Sequence, residues 1–260
     1  MSAAATSIVL RAYAELVDFL DAPEVELPIG GPRSVKDLVE AAGIPHPEVG
    51  LLLVDGRRVG FDHLLTGGER VAAYPPFHGL DPVGGLWPSP PEPRRFVLDV
   101  HLGTLTRRLR LLGFDAWYRT DADDALLADV AVGQERILLT RDRGLLMRRT
   151  ITHGYCPRSQ DPDEQAVEVA RRYSLAPRRA PLTRCVRCNG LLHRAHAAQV
   201  WDELEPGTRA AFDRFSRCGG CGQVYWPGSH LDAVEGFLTR IEAMTSPRGA
   251  PPPGTGPVHH

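Results

Sequence analysis

The sequence predicts an α/β protein assembled from several small units, and three observations predict it. Between residues 95 and 181, apolar runs of strand length (RFVLDV, FDAWYR, ERILLT) alternate with helical periodicity, the pattern of a parallel sheet with covered faces. Ahead of them, residues 6–75 read as several strands around one short helix. Behind them, residues 182–245 carry two Cys-x-x-Cys pairs, Cys185/Cys188 and Cys218/Cys221. A chain of 260 residues with 43% hydrophobic side chains is long enough for two or three cores. Its 24% charged residues and net charge of -2 exclude a disordered or collagen-like chain. No apolar run approaches the ~20 residues of a membrane span, so no membrane partner is expected. The start, MSAAATSIVLRAYAELVDF, lacks a basic segment and is interrupted by Arg11, Glu15 and Asp18, unlike a signal peptide. A cytoplasmic location is the expectation.

In the first unit, residues 1–75, SIVLRAYAEL alternates like a strand until Pro28, Gly30 and Gly31 break the pattern. Ser34 suits the N-cap of a helix, VKDLVEAAG, closed by Gly43. LLLVDGRRV reads as two strands around Asp55-Gly56, a hairpin signal, and GERVAAYPP ends as a strand stopped by prolines. Strand, strand, helix, hairpin, strand is a β-grasp order. Residues 76–94, PFHGLDPVGGLWPSPPEPR, are too rich in Pro and Gly for regular structure and read as a linker, with Trp87 available to dock on a neighbour.

The second unit, residues 95–181, opens with the strand RFVLDV. Leu102, Leu105, Leu109 and Leu112 then mark one face of a helix ending at Gly113. FDAWYR, DDALLADVAV, ERILLT and RGLLMRR follow as strand, helix, strand and short helix; a strand at 150–156 and the helix DPDEQAVEVARRY complete it. Open parallel sheets place function at the carboxyl ends of their strands. In the third unit, residues 182–245, 29 residues separate Cys188 from Cys218, the spacing of a four-cysteine zinc ribbon. Four thiolates close a tetrahedron and leave no position for water, so the zinc would be structural. Tyr225 and Trp226 would pack the ribbon or stack on bases. A last helix starts at Ser229 with Asp232 three residues on and buries Leu231, Val234, Leu238 and Ile241. Residues 246–260 should be disordered. Cys156 has no partner at ligand spacing and reads as a buried free thiol.

Carboxylates gather where the strands end. Asp99 closes the first strand; Asp121, Asp123 and Asp124 follow the second; Asp142 follows the third. A parallel sheet brings those ends to one edge, where several carboxylates need a counter-charge. Hard oxygen donors suit Mg²⁺ or Mn²⁺, which activate water and stabilise displacement at a phosphodiester. Either Asp123 or Asp124 equally suits a helix cap, and Asp142 suits the cap of RGLLMRR.

FVLDVHLGTLTRRLRLLGFDAWYR, ILLTRDRGLL and DPDEQAVEV resemble the Mut-seven C-terminal RNase family, a branch of the PIN-like nuclease fold. The resemblance rests on Asp99 in the first strand, the Arg- and Leu-rich helix ending at Phe114, and Leu139-Thr140-Arg141-Asp142, and it covers about 95–245. Residues 6–75 resemble the ubiquitin-like domain often found ahead of that nuclease. The resemblance implies a PIN-like α/β domain with an N-terminal ubiquitin-like β-grasp domain and a C-terminal zinc ribbon. It implies metal-dependent hydrolysis of RNA, with Asp99 and Asp142 as Mg²⁺ or Mn²⁺ ligands and Asp123 or Asp124, ahead of Asp121, as a further catalytic acid. PIN nucleases usually add an acid just beyond the third strand; Arg143 and Gly144 stand there instead, which keeps open a non-catalytic RNA- or ribosome-binding adaptor.

Arginines surround the same strand ends: Arg107, Arg108, Arg110, Arg141, Arg143, Arg148 and Arg149. Arg107, Arg108 and Arg110 cannot share one helix face; Arg141 and Arg143 flank Asp142 and suit contacts to RNA phosphate or to a carboxylate. Charge is divided unevenly: residues 1–93 hold 6 basic and 13 acidic side chains, residues 94–181 hold 16 and 12, and residues 182–260 hold 8 and 7. The β-grasp unit is similar to sulfur carriers, which act through a free C-terminal Gly-Gly; Gly84-Gly85 is internal, so a docking module for a protein partner is the better expectation.

Overall fold

The structure, a computed structural model, describes residues 6–77, 86, 89–175, 180–226, 236–237, 239–241 and 243. The first unit contains strands β1 (Thr6–Ala12), β2 (Glu24–Ile29) and β3 (Arg33–Ser34), helix α1 (Val35–Ala41), and strands β4 (Leu51–Val54), β5 (Arg57–Val59), β6 (Leu64–Leu65) and β7 (Arg70–Tyr74). Its main sheet runs β2-β1-β7-β4-β5 with β1 and β7 parallel at the centre, a β-grasp arrangement. Ser34 caps α1 by accepting from the Asp37 N–H at 3.1 Å. Asp55 and Gly56, both at positive φ, make the tight turn between β4 and β5. The sequence reading differs in two places: β1 stops at Ala12, where Ala14 at positive φ turns the chain into a 3-10 helix, Ala14–Phe19, and Pro28 lies inside β2 rather than ending it. Its missing N–H is tolerated because β2 is an edge strand bonded only to β1.

The second unit contains β8 (Arg95–Leu98), α2 (Gly103–Leu111), β9 (Asp115–Trp117), α3 (Asp124–Gly133), β10 (Ile137–Leu139), α4 (Arg143–Leu146), β11 (Gly154–Tyr155) and α5 (Pro162–Arg172). The four strands are parallel in the order β11-β10-β8-β9. Side chains alternate between its faces. Phe96, Leu98, Ile137 and Leu139 pack with α2, α5 and the later Phe237 and Ile241. Val97 and Leu138 pack with Leu127 and Val130 of α3 and Leu145 and Leu146 of α4. That second cluster continues without a break into the β-grasp core, through Ile8, Leu10, Leu16, Phe19 and Ile44. The two units therefore share one hydrophobic core.

The third unit contains β12 (Leu192–Ala195), α6 (Ala197–Val200), α7 (Pro206–Ala211), β13 (Phe215–Cys218) and β14 (Val224–Tyr225), with the three strands antiparallel in chain order. Among the described residues of 76–94 there is no helix or strand. Trp87, Gly84, Gly85, the start of the last helix at Ser229 with Leu231, Asp232 and Val234, Leu238, and the tail 246–260 lie outside the described residues. Among the described residues no helix is long and apolar enough to cross a membrane.

Candidate active site and four-cysteine cluster

The parallel strands deliver their carboxyl ends to one edge, and each acid there has a distinct environment. Asp99 follows β8 and is 8% exposed. It occupies the N-cap position of a one-turn 3-10 helix, Val100–Leu102, without giving its carboxylate to the backbone there. Asp142 follows β10 and caps α4, accepting from the Leu145 N–H at 3.1 Å. Between them stands Thr140, fully buried. Its hydroxyl donates to Asp99 Oδ2 at 2.7 Å and accepts from the Asp142 N–H at 3.0 Å. One hydroxyl thus joins the Asp99 carboxylate to the Asp142 backbone across two neighbouring strand ends. Thr140 was absent from the residues singled out by sequence. Its place inside Leu139-Thr140-Arg141-Asp142, two residues before an acid, was the available signal.

The other acids are placed differently. Asp123 caps α3 through the Leu126 N–H at 2.8 Å. Asp124 begins α3 and lies 3.8 Å from Arg148, with half its side chain exposed. Asp121 forms a two-bonded pair with Arg119, which holds its carboxyl below the ordinary range. Asp161, two strands from Asp99 and not considered from sequence, caps α5 through the Asp163 and Glu164 N–H groups. Among the described residues, no group of three or more carboxylates or histidines is placed to hold a metal ion. Asp99 and Asp142 are the two acids joined through one side chain, Thr140. Two hard-oxygen donors fit a Mg²⁺-type ion, which keeps most of its waters and takes one or two carboxylates plus substrate phosphate.

The arginines divide by task. Arg107 is exposed on α2, Arg108 pairs with Asp163 at 2.6 Å, and Arg110 is buried. Arg141 donates to Gln160 Oε1 in the segment leading to α5. Arg143 turns to the β-grasp unit, donating to the Phe19 carbonyl at 3.2 Å and lying 4.9 Å above the Phe19 ring.

The four sulfurs of Cys185, Cys188, Cys218 and Cys221 lie within 4.8 Å of one another. Cys185 and Cys221 are 3.7 Å apart, close to the ~3.8 Å edge of a tetrahedron with ~2.3 Å metal–sulfur bonds. Backbone N–H groups of Cys188, Gly220 and Cys221 point at the sulfurs of Cys185 and Cys218. A Cβ at Gly190 would lie 2.9 Å from Cys218 Sγ, so glycine lets the first knuckle close. Burial opposes ionisation of Cys185, but the Tyr225 hydroxyl and nearby N–H groups outweigh it and bring its pKa down to about 6. Burial and the adjoining sulfurs push Cys188 up to about 12. Four thiols cannot ionise together without a cation, so the donor set fits a metal ion. The Tyr225 hydroxyl lies 3.0 Å from Cys185 Sγ, while Trp226 is exposed. Cys156 is buried, and burial raises its pKa, as for an inert thiol.

The first knuckle is also bonded to the parallel sheet. Arg110 donates to the Ala116 carbonyl through Nε and Nη2, and to the Val186 and Arg187 carbonyls through Nη1. Asn189 accepts from the Ala116 N–H and donates to Asp115, so its amide continues the pairing of edge strand β9. Arg136 balances Asp115 at 2.7 Å.

Fold and site together define a ubiquitin-like β-grasp domain joined to a parallel-sheet α/β domain with a four-cysteine ribbon. Residues 94–238 match the family described as Mut7-C RNAse domain, and residues 5–81 match the family described as Mut7-C ubiquitin. The first match spans more than half of the chain, and the protein belongs to the Mut7-C RNAse domain family. Among solved structures, the chain is similar to small archaeal modifier protein 1 of H. volcanii, at 17% identity over 28% of this chain and 99% of that one, TM-score 0.25. It is likewise similar to the HVO 2177 protein of Haloferax volcanii, at 19% identity over 28% and 86%, TM-score 0.26. No curated protein matches the chain.

Proposed function

We propose that the protein is a metal-dependent ribonuclease whose hydrolytic site is built on Asp99 and Asp142. The observation that carries this reading is the Thr140 hydroxyl, which joins the Asp99 carboxylate to the Asp142 backbone at the strand-end edge of a domain in the Mut7-C RNAse family. A bound Mg²⁺ or Mn²⁺ would supply Lewis-acid polarisation of the phosphodiester and acidify water. Asp99 and Asp142 would give it oxygen ligands, and Thr140 keeps both in register. Asp124 is the nearest further acid in role, and Asp123 stays a cap. Arg107 and Arg141 would take flanking phosphates. Cys185, Cys188, Cys218 and Cys221 would hold a structural Zn²⁺, and the ribbon extends the RNA surface through Trp226.

The test is cleavage of end-labelled RNA during Mg²⁺ and Mn²⁺ titration. Wild-type activity lost in Asp99→Asn and Asp142→Asn is the expected outcome. Equal rates in wild type and the double variant refute it. Arg143 and Gly144, standing where a further acid is usual after Asp142, favour one alternative, an RNA-binding adaptor without chemistry. It would show metal-independent RNA binding and no cleavage.

A further inference from the structure

Sequence reading makes the β-grasp domain a docking module for an outside partner; its contacts point inward. The 3-10 helix His46–Glu48 lies against β11. The Glu48 carboxylate, 1% exposed, accepts from the Cys156 N–H at 2.7 Å and from Arg158 Nη1 at 2.9 Å. His46 Nε2 lies 2.9 Å from the Ile151 carbonyl, and Arg172 donates to the Pro47 carbonyl at 3.1 Å. Phe19 is the second anchor. The Arg158 guanidinium sits 4.4 Å and the Arg143 guanidinium 4.9 Å from its ring. Arg158 comes from the loop after β11 and Arg143 from the start of α4 after β10, two adjacent strand ends. Arg143 directly follows Asp142 and begins α4, and Leu145 and Leu146 of α4 share the apolar cluster of Phe19.

We propose that the β-grasp domain is a positioning element of the candidate site: Phe19 and Glu48 seat Arg143, Arg158 and α4, and so fix the Asp142 cap beside Thr140. This rests on the ribonuclease reading for its effect on catalysis and on the contacts alone for its effect on α4. Phe19 and Glu48 touch no candidate ligand; they act through the elements that carry one. Displacement of a metal ligand by about 1 Å costs on the order of 100-fold in rate, so loosened seating should be measurable.

The experiment uses the full chain, wild type beside Phe19→Leu and Glu48→Gln. Phe19→Leu keeps an apolar side chain but removes the ring. Hydrogen exchange by mass spectrometry is read at 139–147, with 185–190 as an internal control, and Mn²⁺ affinity is read by electron paramagnetic resonance. Expected results are exchange accelerated roughly tenfold or more at 139–147, little change at 185–190, and Mn²⁺ bound about tenfold more weakly. Unchanged exchange and unchanged affinity in both variants overturn the proposal. If the variants fail to fold, urea-dependent exchange of the wild type decides: residues 139–147 should open together with residues 14–20. Opening of 139–147 at lower urea overturns it. A wild-type chain that binds no Mn²⁺ overturns the ribonuclease reading alone; accelerated exchange then still supports the seating of α4, and unchanged exchange refutes it.

Discussion

Thr140→Val is the most informative single change. Valine reproduces the β-branched shape of threonine, so the fully buried site creates no cavity. It removes the donor to Asp99 Oδ2 and the acceptor for the Asp142 N–H, bonds of 2.7 and 3.0 Å. A hydrogen bond to a charged group contributes roughly 1.5–3 kcal/mol, and an orphaned polar group costs about 1–3 kcal/mol. The two losses share one side chain and are not additive, so about 2–4 kcal/mol of destabilisation is expected. Thr140→Ser keeps the hydroxyl and loses one methyl, for about 0.5–1.5 kcal/mol. Urea unfolding of the three proteins measures stability, and Mn²⁺-dependent RNA cleavage measures the site. Cleavage should fall by about 100-fold or more in the valine variant and stay near wild type in the serine variant. A valine variant as stable and as active as the serine variant refutes the bridge.

Chelation, or Cys218→Ser, should release about one metal ion per chain, as native mass spectrometry would show. It should also speed exchange of the Ala116 amide, because Arg110 and Asn189 tie the knuckle to β9. Stability should fall in mild acid. Burial lowers the pKa of His46, with Lys36 adding to it against the opposing Glu40, and burial with Arg94 and Arg172 lowers that of His153, both from 6.5. Above pH 6.5 both states are neutral and the stability is full. As pH falls below 6.5 the unfolded chain binds protons first, so stability declines until the lowered folded values are passed. The melting temperature at pH 5.5 should lie below that at pH 7.5, with a smaller gap in His46→Gln. RNA affinity should depend weakly on salt: two phosphate contacts, by Arg107 and Arg141, give a log–log slope of about -1.4, and a slope near -5 would show that many more arginines engage RNA.

Periodicity made the fold legible. The unbroken apolar run Phe96, Val97 and Leu98 and the spacing of Leu102, Leu105, Leu109 and Leu112 record burial directly, and the structure buries all seven. Local cap chemistry was legible for the same reason at Ser34, Asp123 and Asp142. It also shows why strand-end acids resist assignment: a cap and a metal ligand use the same residue at the same place. Only the second contact separates Asp99 and Asp142, which meet through Thr140, from Asp123. In the last helix Ile241 is buried as its spacing predicts, and Phe237 joins it in the same apolar cluster. Domain docking had no local trace. Glu48 and Arg158 are 110 residues apart, and a lone buried Glu in the segment His46–Glu48 has no pattern to announce it.

The uneven charge of the sequence takes on a different meaning once the contacts are known. The first unit is acidic, with 6 basic and 13 acidic side chains over residues 1–93, and the second basic, with 16 and 12 over residues 94–181. Part of that complementarity is satisfied inside the chain: Arg158 meets Glu48 and Asp18, and Arg143 and Arg172 meet β-grasp carbonyls. Burial works against the charge on Arg158, but Glu48 outweighs it and raises the arginine's pKa. Removing either partner would leave the other charge buried, at about 3–5 kcal/mol, so the pair resists exchange for an outside ligand. Of the arginines around the strand ends, Arg108 goes to Asp163, Arg110 to the ribbon and Arg143 to Phe19. Arg110 and Arg143 thus each join two units, Arg110 the ribbon to β9 and Arg143 the β-grasp domain to α4. On the ribonuclease proposal, phosphate recognition would then fall to few side chains, and the strand-end site would depend on how firmly the β-grasp domain holds α4.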